Sequence, residues 1–366
     1  MAVSYIKIDL NAFRRNVRKI RNYIKGEAGL LAVVKANAYG HGVKECLQVA
    51  LKEGYEGAAV SRVTEGRELR RFGFNCPIYV LGLPLPHEIL MGVDSDLILP
   101  VDLTVDIEAI EAAAISERKM AEVMIAIDSG MNRIGAHPDE VPRLLEKLKK
   151  CPHIHIRGTF THMATADFKD KDIAQKQLQV FEHALSYMNI TDDFVISAAN
   201  SAGILDIPNS WHNLVRPGII MYGLPPSQDM THSLDVESVM SVVTHVTHVQ
   251  DLKKGEFVGY GASFVAEKDM HTATIPLGYA DGYPRALSNK GCVLIGGKRC
   301  PIVGRICMDQ FMVAVDETVK PGDEAVLVGK QGNTELSADE VAEAAGTISY
   351  EILCTWKRIP RVFIGE

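Results

Sequence analysis

Residues 29–42 read GLLAVVKANAYGHG, an apolar run that ends in a lysine and is followed by a polar turn rich in glycine. The part GLLAVVK is bounded by glycine and polar residues, which is typical of a short strand buried on both faces. The next segment, VKECLQVALKEG, has helical spacing of its apolar residues and ends at Gly54. Lys35 therefore stands at the carboxyl end of a predicted strand, just ahead of a predicted helix.

The same strand-then-helix pattern recurs along roughly the first 230 residues. Further strand candidates begin near residues 57, 77, 97, 122, 154, 193 and 213, and amphipathic or alanine-rich segments separate most of them. Crossovers of that length imply parallel pairing, so eight units predict an α/β fold, a closed (β/α)8 TIM barrel. An open doubly wound sheet is the alternative. The last two units carry little helix signal.

The pattern changes after about residue 235. Short β-branched runs such as CPIVGRICM and EAVLVG, separated by Gly, Pro or Asp, predict a mostly antiparallel β domain. Only SADEVAEAAG looks helical, with Ser337 and Glu340 in a capping-box arrangement. We therefore divide the chain into a barrel, residues 1–235, and a carboxyl-terminal β domain, residues 236–366. The opening SYIKIDL alternates as a strand does and could belong to either domain.

Bulk composition narrows the class of protein. The chain has 366 residues, 47% of them hydrophobic, with a formal net charge of −7. The length suits two domains, and the negative charge argues against nucleic acid or an anionic membrane as a partner. The seven cysteines form no C-x-x-C pair, no apolar stretch reaches membrane-spanning length, and the first residues lack the apolar core of a signal peptide. We expect a cytoplasmic protein without a metal site.

Polar groups that could converge follow five of the predicted barrel strands, where functional groups of such barrels lie. In chain order they are Lys35, Tyr39, His41, Arg133, His162, Ser201, Arg216, Gly218 and Ile219. The loops after the seventh and eighth strands are the usual phosphate site, and the Ser201 hydroxyl and nearby backbone N–H groups suit a phosphate. A lysine can form an imine with an aldehyde. Phosphate and aldehyde together indicate pyridoxal 5′-phosphate.

Nine motifs in order then carry a resemblance to a known family. They are VVKANAYGHG, GMNRIG, THMATAD, ANSAG, RPGIIMYG, GYGASF, GYADGYPR, GRICMDQ and TISYEILC. Over essentially its whole length the sequence resembles the alanine racemases, the barrel-type pyridoxal-phosphate racemases. The resemblance implies a homodimer with its active site at the subunit interface, which interconverts L-alanine and D-alanine and supplies D-alanine for peptidoglycan precursors of the cell wall.

The resemblance also assigns the catalytic groups. Lys35 would form the cofactor aldimine and act as one catalytic base, and Tyr260 of the partner subunit would be the second. One base on each face of Cα allows a proton to leave one side and return on the other. Arg216 would face the pyridine nitrogen. Because a guanidinium stays charged and only donates, the cofactor would be a weak electron sink, which favours return of the proton to Cα. His162 would connect Tyr260 to Arg216.

Further roles concern the cofactor phosphate and the substrate. The phosphate would be held by Tyr39, Ser201, Gly218, Ile219 and Tyr350. Arg133 and the backbone of the partner subunit's Met308 would bind the substrate carboxylate, and Tyr279 would line the route to the site.

Two positions depart from the family pattern. Many members carry a carbamylated lysine where this chain has Ala126, and a histidine where it has Ser197. Both changes remove a group that orients an arginine. At Ala126 we expect a small anion, most simply chloride, to take the place of the carbamate beside a buried Arg133; an ordered water or a neighbouring carboxylate is the alternative.

Three alternatives remain at this point. A serine or broad-specificity racemase differs from an alanine racemase in its side-chain pocket, where Tyr350 favours alanine. A decarboxylase of similar architecture would need a glycine-rich phosphate loop that we do not find. A non-catalytic pyridoxal-phosphate carrier would resemble the barrel alone, so it leaves the β domain with Tyr260 and Met308 unexplained.

Overall fold

The computed structural model describes residues 3–365, which form two compact units. One unit contains residues 13–38 and 43–237, and the other contains residues 3–12, 39–42 and 238–365. A single cut after residue 235 therefore does not separate them. The reason is strand pairing: Tyr5–Asp9 pairs with Met240–His245 and with Arg361–Ile364, so the opening strand belongs to the second unit.

The first unit is a barrel of eight parallel strands, as the sequence predicted. Their order is that of the chain: Gly29–Val33, Gly57–Val60, Ile78–Val80, Leu99–Val101, Ala121–Ala126, Ile154–Phe160, Val195–Ser197 and Leu214–Val215. The first and the eighth strands pair with each other. A parallel bridge between Tyr79 and Ile98 joins the third strand to the fourth. The backbone N–H of Arg216 donates to the carbonyl of Ala199 at 3.0 Å beside the last two strands, which closes the (β/α)8 barrel.

Helices cover the outside of this barrel. They are Leu10–Ile24, Val43–Lys52, Val63–Arg71, Pro86–Asp94, Ile107–Glu117, Val141–Leu148, Asp172–Leu185 and Ser201–Asp206. In the first of them Phe13, Val17 and Ile20 recur at helical spacing and are fully buried; such burial stabilises by about 1.5–3 kcal/mol for each large apolar side chain. The weak helix signal of the last two units is matched by a six-residue helix and a 3-10 turn, Ile219–Tyr222.

The second unit is built on a largely antiparallel sheet, as expected. Its strand order is His248–Leu252, Met270–Ile275, Phe311–Val315, Lys298–Val303, Cys292–Ile295, Glu324–Gln331, Met240–His245, Tyr5–Asp9 and Arg361–Ile364, with Thr334–Leu336 paired to Glu324–Gln331. The short strands Phe257–Val258 and Phe264–Val265 form a separate hairpin.

Two helices accompany this sheet, whereas the sequence predicted one. The predicted helix spans Ala338–Ala345, and the hydroxyl of its N-cap Ser337 accepts the N–H of Glu340 at 3.1 Å. The helix that the sequence missed, Ser349–Cys354, is too short to show a period. Over residues 3–365, the structure has no helix that is both long and apolar enough to span a bilayer.

Candidate active site

The residues that follow Lys35 form one turn of left-handed helix. Ala36, Asn37, Ala38 and Tyr39 all have φ between 51° and 55°. This conformation costs an L-residue roughly 1–2 kcal/mol, so the surrounding structure must hold it in place. The N–H of Ala38 donates to the carbonyl of Val34 at 2.8 Å, and the side-chain oxygen of Asn37 accepts the N–H of Val43 at 2.8 Å.

Glu65 accepts a third hydrogen bond that stabilises this turn, and its role was not predicted from the sequence. One carboxylate oxygen accepts the N–H of Ala36 at 2.7 Å. The other accepts the N–H groups of Ser61 and Arg62 at 2.8 and 3.1 Å, at the start of helix Val63–Arg71. One carboxylate therefore joins the loops that follow the first and second strands and fixes the backbone beside Lys35. An acidic residue in a first helical turn signals a cap, but nothing in the sequence links Glu65 to Ala36.

A cavity of about 240 Å³ opens at the carboxyl ends of the barrel strands. Four of the predicted site residues, Lys35, Arg133, His162 and Arg216, lie in its wall. The remaining lining residues are Ser61, Leu81, Gly82, Ala126, Ile127, Asp128, Met131, Ile134, Phe160 and Thr161. The structure thus brings together one amine, two guanidinium groups and one imidazole that are far apart in the sequence.

Arg216 is buried, and neutral groups hold its guanidinium. It donates to the Ser197 hydroxyl at 2.5 Å, to the carbonyl of Thr161 at 2.7 Å and to that of Ala198 at 3.4 Å. The Ser197 hydroxyl itself donates to the carbonyl of Leu214 at 2.7 Å. Burial and then the charge of Arg133 lower the pKa of Arg216 to about 10. Ser197 thus orients this arginine itself.

His162 lies beside this arginine, with its Nδ1 atom 3.5 Å from a guanidinium nitrogen of Arg216. Burial, followed by the charges of Arg216, Arg133 and Lys35, lowers the pKa of His162 to about 3. The imidazole is therefore neutral at physiological pH. A neutral ring that accepts at Nδ1 carries its proton on Nε2, so its other side can donate.

Arg133 projects from a loop that Asp128 shapes. One oxygen of Asp128 accepts the N–H groups of Gly130 and Asn132 at 2.9 and 3.0 Å. At Gly135, where φ is +111°, a Cβ atom would lie 2.6 Å from the backbone nitrogen of Asp128, so this tight turn requires glycine.

The expectation of a bound anion beside Ala126 depends on the burial of Arg133. Ala126 is buried, but the Arg133 side chain is exposed. In the single chain water can therefore solvate its charge, and the bound anion stays a prediction.

The three predicted phosphate residues of the barrel unit lie together. Asn200 caps helix Ser201–Asp206 by accepting the N–H groups of Ala202 and Gly203 at 3.1 and 3.0 Å. The buried Ser201 hydroxyl accepts the N–H of Gly218 at 2.8 Å, and Ile219 begins the 3-10 turn that follows. Ser201, Gly218 and Ile219 therefore stand side by side, as a shared role in holding a phosphate requires.

The other two predicted phosphate residues, Tyr39 and Tyr350, face each other in the second unit. Their ring centroids are 6.1 Å apart. Tyr39 is buried, and burial raises the pKa of its hydroxyl well above the usual value. His41 lies next to this pair, with Nδ1 3.0 Å from the carbonyl of Tyr39.

The remaining predicted residues are exposed on the second unit. Tyr260 is 72% exposed, Met308 54% and Tyr279 43%. The backbones of Tyr279 and Met308 are adjacent, since the N–H of Ala280 donates to the carbonyl of Met308 at 3.0 Å. Tyr260, Met308 and Tyr279 therefore do not line the cavity of the barrel unit in the single chain.

Known protein families and relatives match nearly the whole length of this chain. The family model described as "Alanine racemase, N-terminal domain" matches residues 8–226, and "Alanine racemase, C-terminal domain" matches residues 239–363. The alanine racemase of Halothermothrix orenii is 38% identical over 365 residues, which are 98% of this chain and 96% of the relative.

Solved structures agree with the sequence relatives. The alanine racemase from Bacillus anthracis with bound L-Ala-P is 36% identical, with a TM-score of 0.93 and coverage of 100% of this chain and 96% of that one. A histidine racemase from Leuconostoc mesenteroides is 26% identical, with a TM-score of 0.90 and coverage of 99% and 98%.

Proposed function

Since the chain belongs to the alanine racemase family, we propose that it interconverts L-alanine and D-alanine with pyridoxal phosphate as its cofactor. Family membership makes the protein a pyridoxal-phosphate-dependent amino-acid racemase, and the resemblance noted in the sequence is confirmed. The finer assignment is supported above all by one observation: Lys35, Arg133, His162 and Arg216 line a single cavity at the carboxyl ends of the barrel strands.

The residues present fit the cofactor. Lys35 would hold it covalently, and the Ser201–Gly218 turn with Ile219 would take its phosphate, together with Tyr39 and Tyr350. Arg216 would donate a hydrogen bond to the ring nitrogen and leave it unprotonated, because a guanidinium gives up no proton. When bound, the cofactor supplies the electron sink that makes the substrate Cα–H acidic.

Two bases would move the proton. Lys35 would serve one face of the substrate and Tyr260 of the partner subunit the other, with the neutral His162 connecting that tyrosine to Arg216. In a single chain Tyr260 is 72% exposed, which leaves it accessible to a second subunit. We therefore propose a homodimer whose active sites each take residues from both subunits.

Substrate choice would depend on the carboxylate and side-chain pockets. Arg133 and the partner subunit's Met308 would bind the carboxylate, Tyr279 would line the access route, and Tyr350 would leave room only for a small side chain such as that of alanine. The structural likeness to a histidine racemase supports a second candidate, a racemase of broader specificity. The product D-alanine would serve cell-wall precursors, and the protein would act in the cytoplasm.

Racemisation rates test this proposal. With the purified protein and added pyridoxal phosphate, loss of optical activity from L-alanine, L-serine and L-histidine should be fastest for L-alanine. Lys35→Ala should lower the alanine rate by at least about 10²- to 10⁴-fold, the usual contribution of a positioned base, whereas the exposed Lys44→Ala should not change it. A faster rate on serine or histidine would favour the broader enzyme, and an unchanged rate in Lys35→Ala would refute the site.

A further inference from the structure

The side-chain amide of one buried glutamine lies close to the candidate site without lining its cavity. Gln177, in helix Asp172–Leu185, is 3% exposed. Its oxygen accepts the N–H of Ala164 at 2.8 Å, and its nitrogen donates to the carbonyl of His162 at 3.2 Å and to the hydroxyl of Ser129 at 3.3 Å. The N–H of Ala164 can only donate, which fixes the orientation of the amide.

The hydrogen bonds continue from Ser129 into the barrel. The hydroxyls of Ser129 and Thr161 are 2.7 Å apart, and that of Thr161 donates to the carbonyl of Ile127 at 2.9 Å. Because the proton of Thr161 is used there, Ser129 donates to Thr161 and accepts from Gln177. Both hydroxyls are buried, and each of their protons has an acceptor in this series of hydrogen bonds.

This series of hydrogen bonds connects the two segments that carry the candidate binding groups. Ser129 belongs to the loop that Asp128 shapes and that carries Arg133. Thr161 precedes His162, and its carbonyl accepts a hydrogen bond from Arg216. The Gln177 side chain also packs on the Arg133 loop, since a Cβ at Gly130 would lie 3.5 Å from its Cγ.

We propose that Gln177 is a positioning residue for binding of the substrate carboxylate: its amide holds the Arg133 loop in a fixed place relative to the segment of His162 and Arg216. The inference rests on the proposed function, in which Arg133 binds that carboxylate. Gln177 does not line the cavity, so it acts through the loops. Loss of the amide should leave the loops folded but let the Arg133 loop shift against Arg216.

Substitution by methionine keeps the size of the side chain and removes its hydrogen bonds. In the cofactor-loaded enzyme, Gln177→Met should raise the KM for L-alanine by roughly ten- to a hundredfold, as expected when a binding group is misplaced by about an ångström. The Kd of propionate, a carboxylate without an amino group, should rise by a similar factor in titration calorimetry. The kcat should fall less than KM rises, because carboxylate binding acts on ground state and transition state alike. Gln179→Met, on the exposed side of the same helix, should change none of these values.

Substitution by glutamate gives a signature that loss of packing alone would not. An ionised carboxylate still accepts the N–H of Ala164 but faces the carbonyl of His162 and the hydroxyl of Ser129 without a proton to donate. Protonation restores one donor. The ratio of the propionate Kd in Gln177→Glu to that in the wild type should therefore decrease as the pH falls, whereas Gln179→Glu should show a constant ratio near one.

The variant Arg133→Met distinguishes the binding role of Arg133 from the positioning role of Gln177. If it leaves propionate binding unchanged, the assignment of Arg133 to the carboxylate fails. If it weakens propionate binding while Gln177→Met and Gln177→Glu do not, or only lower the melting temperature, the assignment of Arg133 stands and the positioning role of Gln177 is overturned.

Discussion

Arg216 and His162 show how burial sets the charge of the candidate site. Both side chains lie in the cavity wall with Arg133 and Lys35 nearby, and neutral acceptors surround the Arg216 guanidinium. Positive neighbours and burial both disfavour a second buried cation, so the imidazole gives up its proton. The arginine, with the much higher pKa, keeps its own. Arg216 thus stays a permanent donor next to a histidine that can both accept and donate.

The lowered pKa of His162 makes a testable contribution to stability. Its pKa is about 3 in the folded chain against 6.5 for a free histidine. Between these values the unfolded chain binds a proton at His162 and the folded chain does not, so the free energy of unfolding falls as the pH falls, by up to about 1.4 kcal/mol per pH unit. His162→Gln should remove this component. Urea unfolding between about pH 7 and pH 5 should therefore show a smaller loss of stability for this variant than for wild type.

The exposed His183 provides the control for this experiment. His183→Gln should keep the wild-type pH dependence of unfolding. Parallel pH dependences for wild type and His162→Gln would contradict a neutral imidazole at this position.

Individual residues also show what the sequence could and could not predict. Lys35, Arg133, His162 and Arg216 were found because each follows a predicted strand, and the ends of parallel strands meet at one edge. Gln177 and Glu65 were missed because their partners lie on other elements, and in the sequence each is only a polar residue of an amphipathic helix. The exposure of Arg133 could not be predicted either, since it depends on how a loop folds over the barrel.

At the scale of single elements, the left-handed turn Ala36–Tyr39 is the least expected feature. Strands were predictable because short apolar runs alternate with helical periods, and the opening strand was ambiguous only because pairing partners are remote in sequence. The hand of a turn is different. Four consecutive non-glycine residues have positive φ there, against their intrinsic preference, so hydrogen bonds to Glu65, Val34 and Val43 must decide the conformation.

Substitution of Ala36 by glycine should remove the steric penalty of the left-handed conformation. Ala36 is exposed and has φ of 53°, where glycine has no steric penalty. Ala36→Gly should raise the free energy of unfolding by about 1 kcal/mol, in spite of the greater freedom of the unfolded chain. Ala112→Gly, at an exposed position of the right-handed helix Ile107–Glu117, should lower it by about 0.5–1 kcal/mol. If both substitutions destabilised the protein alike in urea unfolding, the left-handed conformation would be wrong.

At the scale of the whole molecule, the candidate catalytic groups are divided between two units of the chain. Lys35, Arg133, His162 and Arg216 belong to the barrel unit, whereas Tyr260, Met308 and Tyr279 belong to the second unit and are exposed. In the proposed homodimer these three side chains would contact the partner subunit instead of solvent. A second copy of the chain would cover them and complete the set of bases at each site.

Subunit mixing tests this arrangement directly. If Tyr260 serves the Lys35 of the other subunit, a hybrid of Lys35→Ala and Tyr260→Ala chains has one intact site and one site that lacks both bases. Random pairing makes about half of the dimers hybrid, each with one of two sites intact, so racemisation should recover to about a quarter of the wild-type rate.

The matched control mixes Lys35→Ala with the double variant Lys35→Ala/Tyr260→Ala. Those hybrids form equally well but lack Lys35 at both sites, so they should stay inactive. Co-purification through two different affinity tags shows that hybrids have formed. Inactive hybrids in the first mixture would mean that both bases of a site come from one chain.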